Sequence, residues 1–210
     1  MDVVIPIVFP DFKITVKVKK REVDVLPFVD FDNFSIPEYK DKLSNLGHAG
    51  VLFINGKTGT TKYYEYGRYD PPANLGLVLK ARNLPNVKVT NGSIDYGSLK
   101  KTLGFISRVS GQSGRIKAVY IEVEDKYNLM LEAAESRKLK NSIKTREPYD
   151  LLTNSCIHFV KEITESAGVS TPWIIDPRPN SYIGEFMDDF PNLEYKNSTN
   201  KLSLEDIGVF

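Results

Sequence analysis

The chain has one cysteine, and it stands where an extended stretch becomes a helix. In Tyr149-Asp150-Leu151-Leu152-Thr153-Asn154-Ser155-Cys156-Ile157-His158-Phe159-Val160, apolar Phe159, Val160, Ile163 and Ala167 recur at helical spacing, and Gly168 supplies a stop. Asn154 or Ser155 serves as N-cap, so Cys156 falls in the first turn, where free amide N–H groups and the helix dipole favour an anion. A thiol so placed has the surroundings of a reactive cysteine. A thiol nucleophile also needs a base, and the base needs a partner that fixes its tautomer. Two histidines are present. His158 follows Cys156 by two positions, which on a helix turns it roughly 200° away, so it reads as a surface or structural residue. His48 is then the usable base. Its partner is expected on the neighbouring strand: Glu65 first, with Tyr63, Tyr66 and Asp70 as alternatives if the register shifts. Asn154 or the backbone N–H of Cys156 is the candidate oxyanion donor. The plainer alternative is that Cys156 only continues the apolar stripe of Val160, Ile163 and Ala167.

The elements that must bring these residues together are legible in outline. Leu46 to Ile54 is almost wholly apolar and reads as a central buried strand, with His48 at its mouth between Gly47 and Ala49-Gly50. Asn55-Gly56 then predicts a hairpin into Thr60 to Asp70. Val3 to Phe9 and Phe12 to Lys19 read as two strands about a Pro10-Asp11 turn. Ser35 and Pro37 predict a short helix to about Asn45. Further strands are expected at Leu75 to Arg82, Val87 to Thr90 and Arg115 to Glu124. A helix from Ser98 buries Leu99, Leu103, Ile106 and Val109. A second, capped by Asp125, buries Tyr127, Met130, Leu131 and Ala134 and ends in a solvated Arg137-Lys138-Leu139-Lys140 run. A short amphipathic piece spans Tyr182 to Phe190. Strands and helices mix without βαβ alternation, which predicts an α+β fold with a mainly antiparallel sheet.

Composition narrows the function classes. Lys and Arg number 28 against 27 Asp and Glu, a net charge of +1, which argues against a general nucleic-acid binder. A hydrophobic fraction of 41% is ample for a core, and no linker-like stretch divides the chain. One cysteine excludes an internal disulfide. The apolar N-terminus carries Asp2 and two prolines where a signal peptide would have a basic region and an uninterrupted core. No run approaches the ~20 apolar residues of a membrane helix.

Leu-Gly-His-Ala-Gly-Val at 46–51, Tyr-Glu-Tyr-Gly at 64–67 and the stretch 149–159 resemble circularly permuted papain-like proteins, including the permuted NlpC/P60 hydrolases, in which the histidine strand precedes the cysteine helix. The whole chain, with its opening Val-Ile-Pro-Ile-Val-Phe-Pro, is similar to bacterial type VI secretion effectors of the hydrolase H kind. One departure is Ser155, where many relatives carry a second asparagine. The resemblance implies a single domain over 1–210, with N-terminal strands and loop at 1–34, a catalytic core at 46–167 and a C-terminal extension from 168. It implies a cysteine hydrolase in which Cys156 attacks an amide carbonyl, His48 moves the proton and Glu65 orients His48. Asn154 and Ser155 would support the oxyanion, and Tyr64, Tyr66, Arg68 and Tyr69 would line the cleft. No metal or cofactor is expected. Peptidoglycan stem peptides are the foremost substrate, with an immunity protein and a secretion-machine component as partners. Such a toxin would leave its producer without a signal peptide and act in a rival's periplasm. The rivals are a cytosolic isopeptidase or acyltransferase, and a non-enzymatic interaction module with Cys156 in its core.

Overall fold

The computed structural model describes residues 1–15, 42–43, 47–71 and 73–205. Within them the strands are β1 (Asp2–Phe9), β2 (Ile14–Thr15), β3 (Lys42–Leu43), β4 (His48–Ile54), β5 (Thr61–Gly67), β6 (Leu77–Lys80), β7 (Val89–Thr90), β8 (Ser93–Ile94), β9 (Ile116–Val119), β10 (Ile121–Val123), β11 (Asn192–Lys196) and β12 (Lys201–Glu205). The α-helices are α1 (Tyr96–Val109), α2 (Tyr127–Leu139), α3 (Cys156–Ser166) and α4 (Pro179–Met187). One eight-stranded sheet runs β12-β11-β9-β1-β4-β5-β6, with β10 also paired to β1. Every pairing in it is antiparallel. The fold is therefore α+β about an antiparallel sheet.

The sheet separates two apolar layers. Val4, Val8, Ala49, Val51, Phe53 and Tyr64 face α2, α3 and α4. Val3, Ile5, Ile7, Leu52, Ile54 and Tyr63 face α1, through Leu99, Leu103 and Ile106. The period-two alternation of β1 and β4 thus feeds both cores at once, which is why those strands read as unbroken apolar runs. Leu52, Phe53 and Ile54 are completely buried, each worth roughly 1.5–3 kcal/mol of removed apolar surface.

Several expectations are corrected. Arg115 to Glu124 is interrupted at Tyr120, whose N–H bonds Pro191 O at 2.9 Å. The register against β1 nevertheless continues from Val8↔Lys117 to Asp2↔Val123. Of the second predicted strand, residues 12–19, the described part is strand at Ile14–Thr15, which pairs with β3. Residues 16–19 lie outside the described residues, as does the predicted helix at 35–45 apart from Lys42–Leu43, which is strand. α1 begins at Tyr96 behind the N-cap Asp95, whose carboxylate accepts from Ser98 N at 2.7 Å, and Val109 is exposed. β11 and β12, unforeseen in the sequence, extend the sheet beyond β9.

The cap of α2 comes from a distant strand. Asp125 adopts φ +48° and pairs with Lys57 at 2.7 Å on the surface. Buried Asp2 takes the capping role, accepting from Tyr127 N at 2.8 Å and from Gly56 N at 2.9 Å. Asp2 thereby ties the first strand, the β4–β5 turn and α2 together. Gly56 is required by the same junction, since a Cβ there would sit 1.6 Å from Met1 O. Asp2→Ala is expected to cost about 2 kcal/mol, through a lost cap and two buried donors left unpaired. Urea denaturation of the two proteins checks it.

Candidate active site

Cys156 is the first residue of α3, with Ser155 as N-cap. The cap is a reciprocal box in which His158 replaces the usual Glu or Gln. Ser155 N donates to His158 Nδ1 at 3.3 Å, and Ser155 Oγ lies 2.9 Å from the same atom. His158 is held below its ordinary pKa, first by burial, and its neutral ring keeps Nδ1 available as an acceptor. It fixes the helix end and does not serve as a base for the thiol.

His48 opens β4, opposite Phe9 of β1. The chain enters the strand through Gly47 at φ +72°, a conformation that favours glycine, with Phe9 O 3.1 Å from the position of a Cβ. The imidazole is 6% exposed and lies between Phe9 and Phe12, ring centroids 6.1 and 5.1 Å away. Its Nε2 faces Tyr69 Oη at 2.9 Å and Glu65 Oε2 at 3.3 Å. Cys156 lies near enough to the ring that its side chain acts on the imidazole's protonation. Burial works to discharge the imidazole, but hydrogen bonds and charge from Cys156 and Glu65 outweigh it and raise the pKa to about 10.

Glu65 pairs in register with Gly50, so it lies diagonally from His48 across the β4–β5 ladder. It is 6% exposed. Tyr63 donates its hydroxyl to Glu65 Oε2 at 2.9 Å. That phenol reaches the carboxylate by passing over Gly50, where a Cβ would lie 2.2 Å from the Tyr63 hydroxyl. Glycine is therefore required at position 50 for packing, not for its backbone angle.

Tyr149 joins the site from the loop before α3. Asp150 Oδ1 accepts from Leu152 N and Thr153 N, and Asp150 and Asn154 form a backbone bridge, which folds the loop back on itself. Tyr149 Oη then lies 4.0 Å from Cys156 Sγ. Its ring stacks on Tyr66 at 5.4 Å and carries the Arg68 guanidinium at 5.0 Å. Burial and Cys156 hold its phenol well above its ordinary pKa, so it stays a donor. Sequence reading missed this residue; its place at the head of the cysteine stretch was the only signal.

The remaining candidates divide. Asn154, expected as an oxyanion donor, is 3% exposed and committed elsewhere. Its amide nitrogen donates to Glu147 O, Pro148 O and Tyr66 Oη at 3.1, 3.0 and 3.2 Å, and its Oδ1 accepts from Arg137. Arg137 is correspondingly no solvated helix end: its side chain is 15% exposed and lies 5.2 Å over the Tyr66 ring. Ser155 caps the helix. Tyr64 is buried in the core beneath α2 and α3, on the face opposite to Glu65, stacked on Phe53 and donating to Glu135 at 2.5 Å. Tyr66 is likewise packed inside. Arg68 and Tyr69 are exposed beside the cysteine and histidine. Asp70 pairs with Arg146 at 2.8 Å and does not contact His48. Among the described residues no cluster of three or more His, Cys, Asp or Glu could hold a metal, and no helix is long and apolar enough to cross a membrane.

Residues 4–170 match the family described as type VI secretion system effector TseH-like. The structure is similar to a crystal structure of the type VI secretion system effector TseH, with 33% sequence identity, a TM-score of 0.78 and 98% of each chain covered. No curated protein matches the sequence significantly. Family membership implies secretion into target cells. On a match that spans most of its length, the chain belongs to the TseH-like family of type VI secretion system effectors.

Proposed function

We propose that this effector is a cysteine hydrolase of permuted papain-like type that cleaves an amide bond in peptidoglycan stem peptides after delivery to the periplasm of a target cell. The observation that carries the reading is the contact of the only cysteine, at a helix N-terminus, with a buried histidine held by a buried carboxylate. Cys156 attacks the carbonyl carbon as thiolate, forming a C–S bond while His48 is imidazolium. The backbone N–H of Cys156, at the start of α3, and the Tyr149 hydroxyl, 4.0 Å from the sulfur, serve as donors to the developing oxyanion. The C–N bond breaks as His48 protonates the leaving amine. A water molecule, deprotonated by the now neutral His48, then releases the acid from the thioester, and the thiolate–imidazolium pair is restored.

One observation favours the rival reading. Cys156 is 3% exposed and belongs to the core that includes Phe159 and Val160. A purely structural cysteine, however, gives no reason to bury a His–Glu pair against it, since desolvating two charges is costly. The test is digestion of purified sacculi, with products read by mass spectrometry. Release of new amine and carboxyl ends by the wild type, and at least a ~10⁴-fold loss in Cys156→Ala, is the expected result. Absence of cleavage by a protein whose Cys156 still alkylates rapidly would redirect the search to an isopeptidase or acyltransferase substrate. Slow alkylation as well would leave a non-enzymatic module.

A further inference from the structure

On the hydrolase reading just given, we propose that Tyr69 is a positioning residue that links Glu65 to His48, so that the carboxylate orients the imidazole through a phenol. His48 Nε2 carries at most one hydrogen, and two oxygens compete for it. Tyr69 Oη at 2.9 Å lies at the usual N–H···O distance, whereas Glu65 Oε2 at 3.3 Å lies beyond the favourable range. The hydrogen goes to Tyr69. The Tyr69 hydroxyl, having accepted it, keeps its own hydrogen for Glu65, whose carboxylate is near enough to act on the phenol and itself lies 3.3 Å from the same Nε2. Burial, reinforced by the Glu65 charge, keeps this phenol protonated, so it remains able to donate.

The backbone is built to admit this arrangement. Residues 63, 65 and 67 share one face of β5. The Tyr69 ring folds back across position 67, where a Cβ would lie 2.8 Å from its Cζ, and only glycine leaves that space. Gly50 does the same for Tyr63 on the other side of the carboxylate. Glu65 is thus held by two phenols that each cross a glycine, one of them also touching the histidine. Tyr69 is 36% exposed, so a substrate seated in the cleft would meet the outer side of its ring while the hydroxyl stays turned inward.

The experiment is the rate of iodoacetamide alkylation of the full chain from pH 4 to 9 in wild type, Tyr69→Phe and His48→Ala. One cysteine makes the label unambiguous. Tyr69→Phe keeps the ring and removes only the bridging oxygen. The expected result is a roughly tenfold slower reaction at pH 6, with the rise of the profile displaced to higher pH and the thermal midpoint nearly unchanged. A second variant, Tyr69→Leu, is expected to match Tyr69→Phe in its profile. A wild-type profile in both variants, while His48→Ala is slowed, overturns the link and leaves Tyr69 as packing. A wild-type profile in His48→Ala overturns the hydrolase reading itself, and this proposal with it.

Discussion

Removing the imidazole of His48 is expected to slow alkylation of Cys156 at pH 6 by roughly ten- to a hundredfold. The cause is electrostatic. In the wild type the neighbouring imidazolium and the amide groups at the start of α3 both attract negative charge at the sulfur. In His48→Ala only the helix end remains. The pH dependence of stability follows from the same shift. His48 has a folded pKa of about 10 against 6.5 in the open chain. Its contribution to stability is therefore fully present below about pH 6.5 and is lost as pH rises toward 10. Thermal melts of wild type and His48→Ala should accordingly differ most in acid and converge above pH 10. Melting curves that differ by the same amount at pH 6 and pH 10 would remove the imidazolium from the account.

Asn154→Ala is expected to destabilise the protein by about 3 kcal/mol in urea denaturation. The asparagine is the one side chain that satisfies Glu147 O, Pro148 O, Tyr66 Oη and Arg137 together. Without it, two carbonyls lose a donor and a guanidinium at 15% exposure loses an acceptor; each such loss costs roughly 1–3 kcal/mol, with partial relief by water. The loop carrying Tyr149 would lose its anchor, so slower alkylation should accompany the loss of stability. Asn154→Asp separates this from an oxyanion role. It restores an acceptor for Arg137 but not the donors for the two carbonyls, and should recover only part of the stability. Full stability in Asn154→Ala combined with slower turnover would return Asn154 to the oxyanion site.

Local signals in the chain were strong where one element serves one purpose. The apolar run 48–54, the Asn-Gly turn and the helical spacing after Ser155 each specify their element without help from the rest of the molecule. The pairing of β4 with β5 follows from the short turn, and with it the approach of Glu65 to His48. Capping is different. A carboxylate next to a helix start looks like its cap, yet Asp125 faces solvent and Asp2, 125 positions from its partner Tyr127, fills the role. Arg137 shows the same limit: a basic residue at a helix end reads as solvated unless one knows which ring and amide lie beneath it.

Sequence alone determined the α+β character, the strand that carries His48 and the helix that begins at Cys156, because these rest on periodicity and on short-range turns; it named Cys156, His48 and Glu65 as candidates and left the last of them open among its neighbours. Only the tertiary structure decided how the polar groups are spent. It tied Asn154 into the scaffold, buried Tyr64 in the core beneath α2 and α3, brought Tyr149 against the thiol, set Tyr69 against His48, and added β11 and β12 to the sheet. The physical reason is that a side chain's hydrogen-bond partners come from segments distant in the chain, and local pattern carries no record of them.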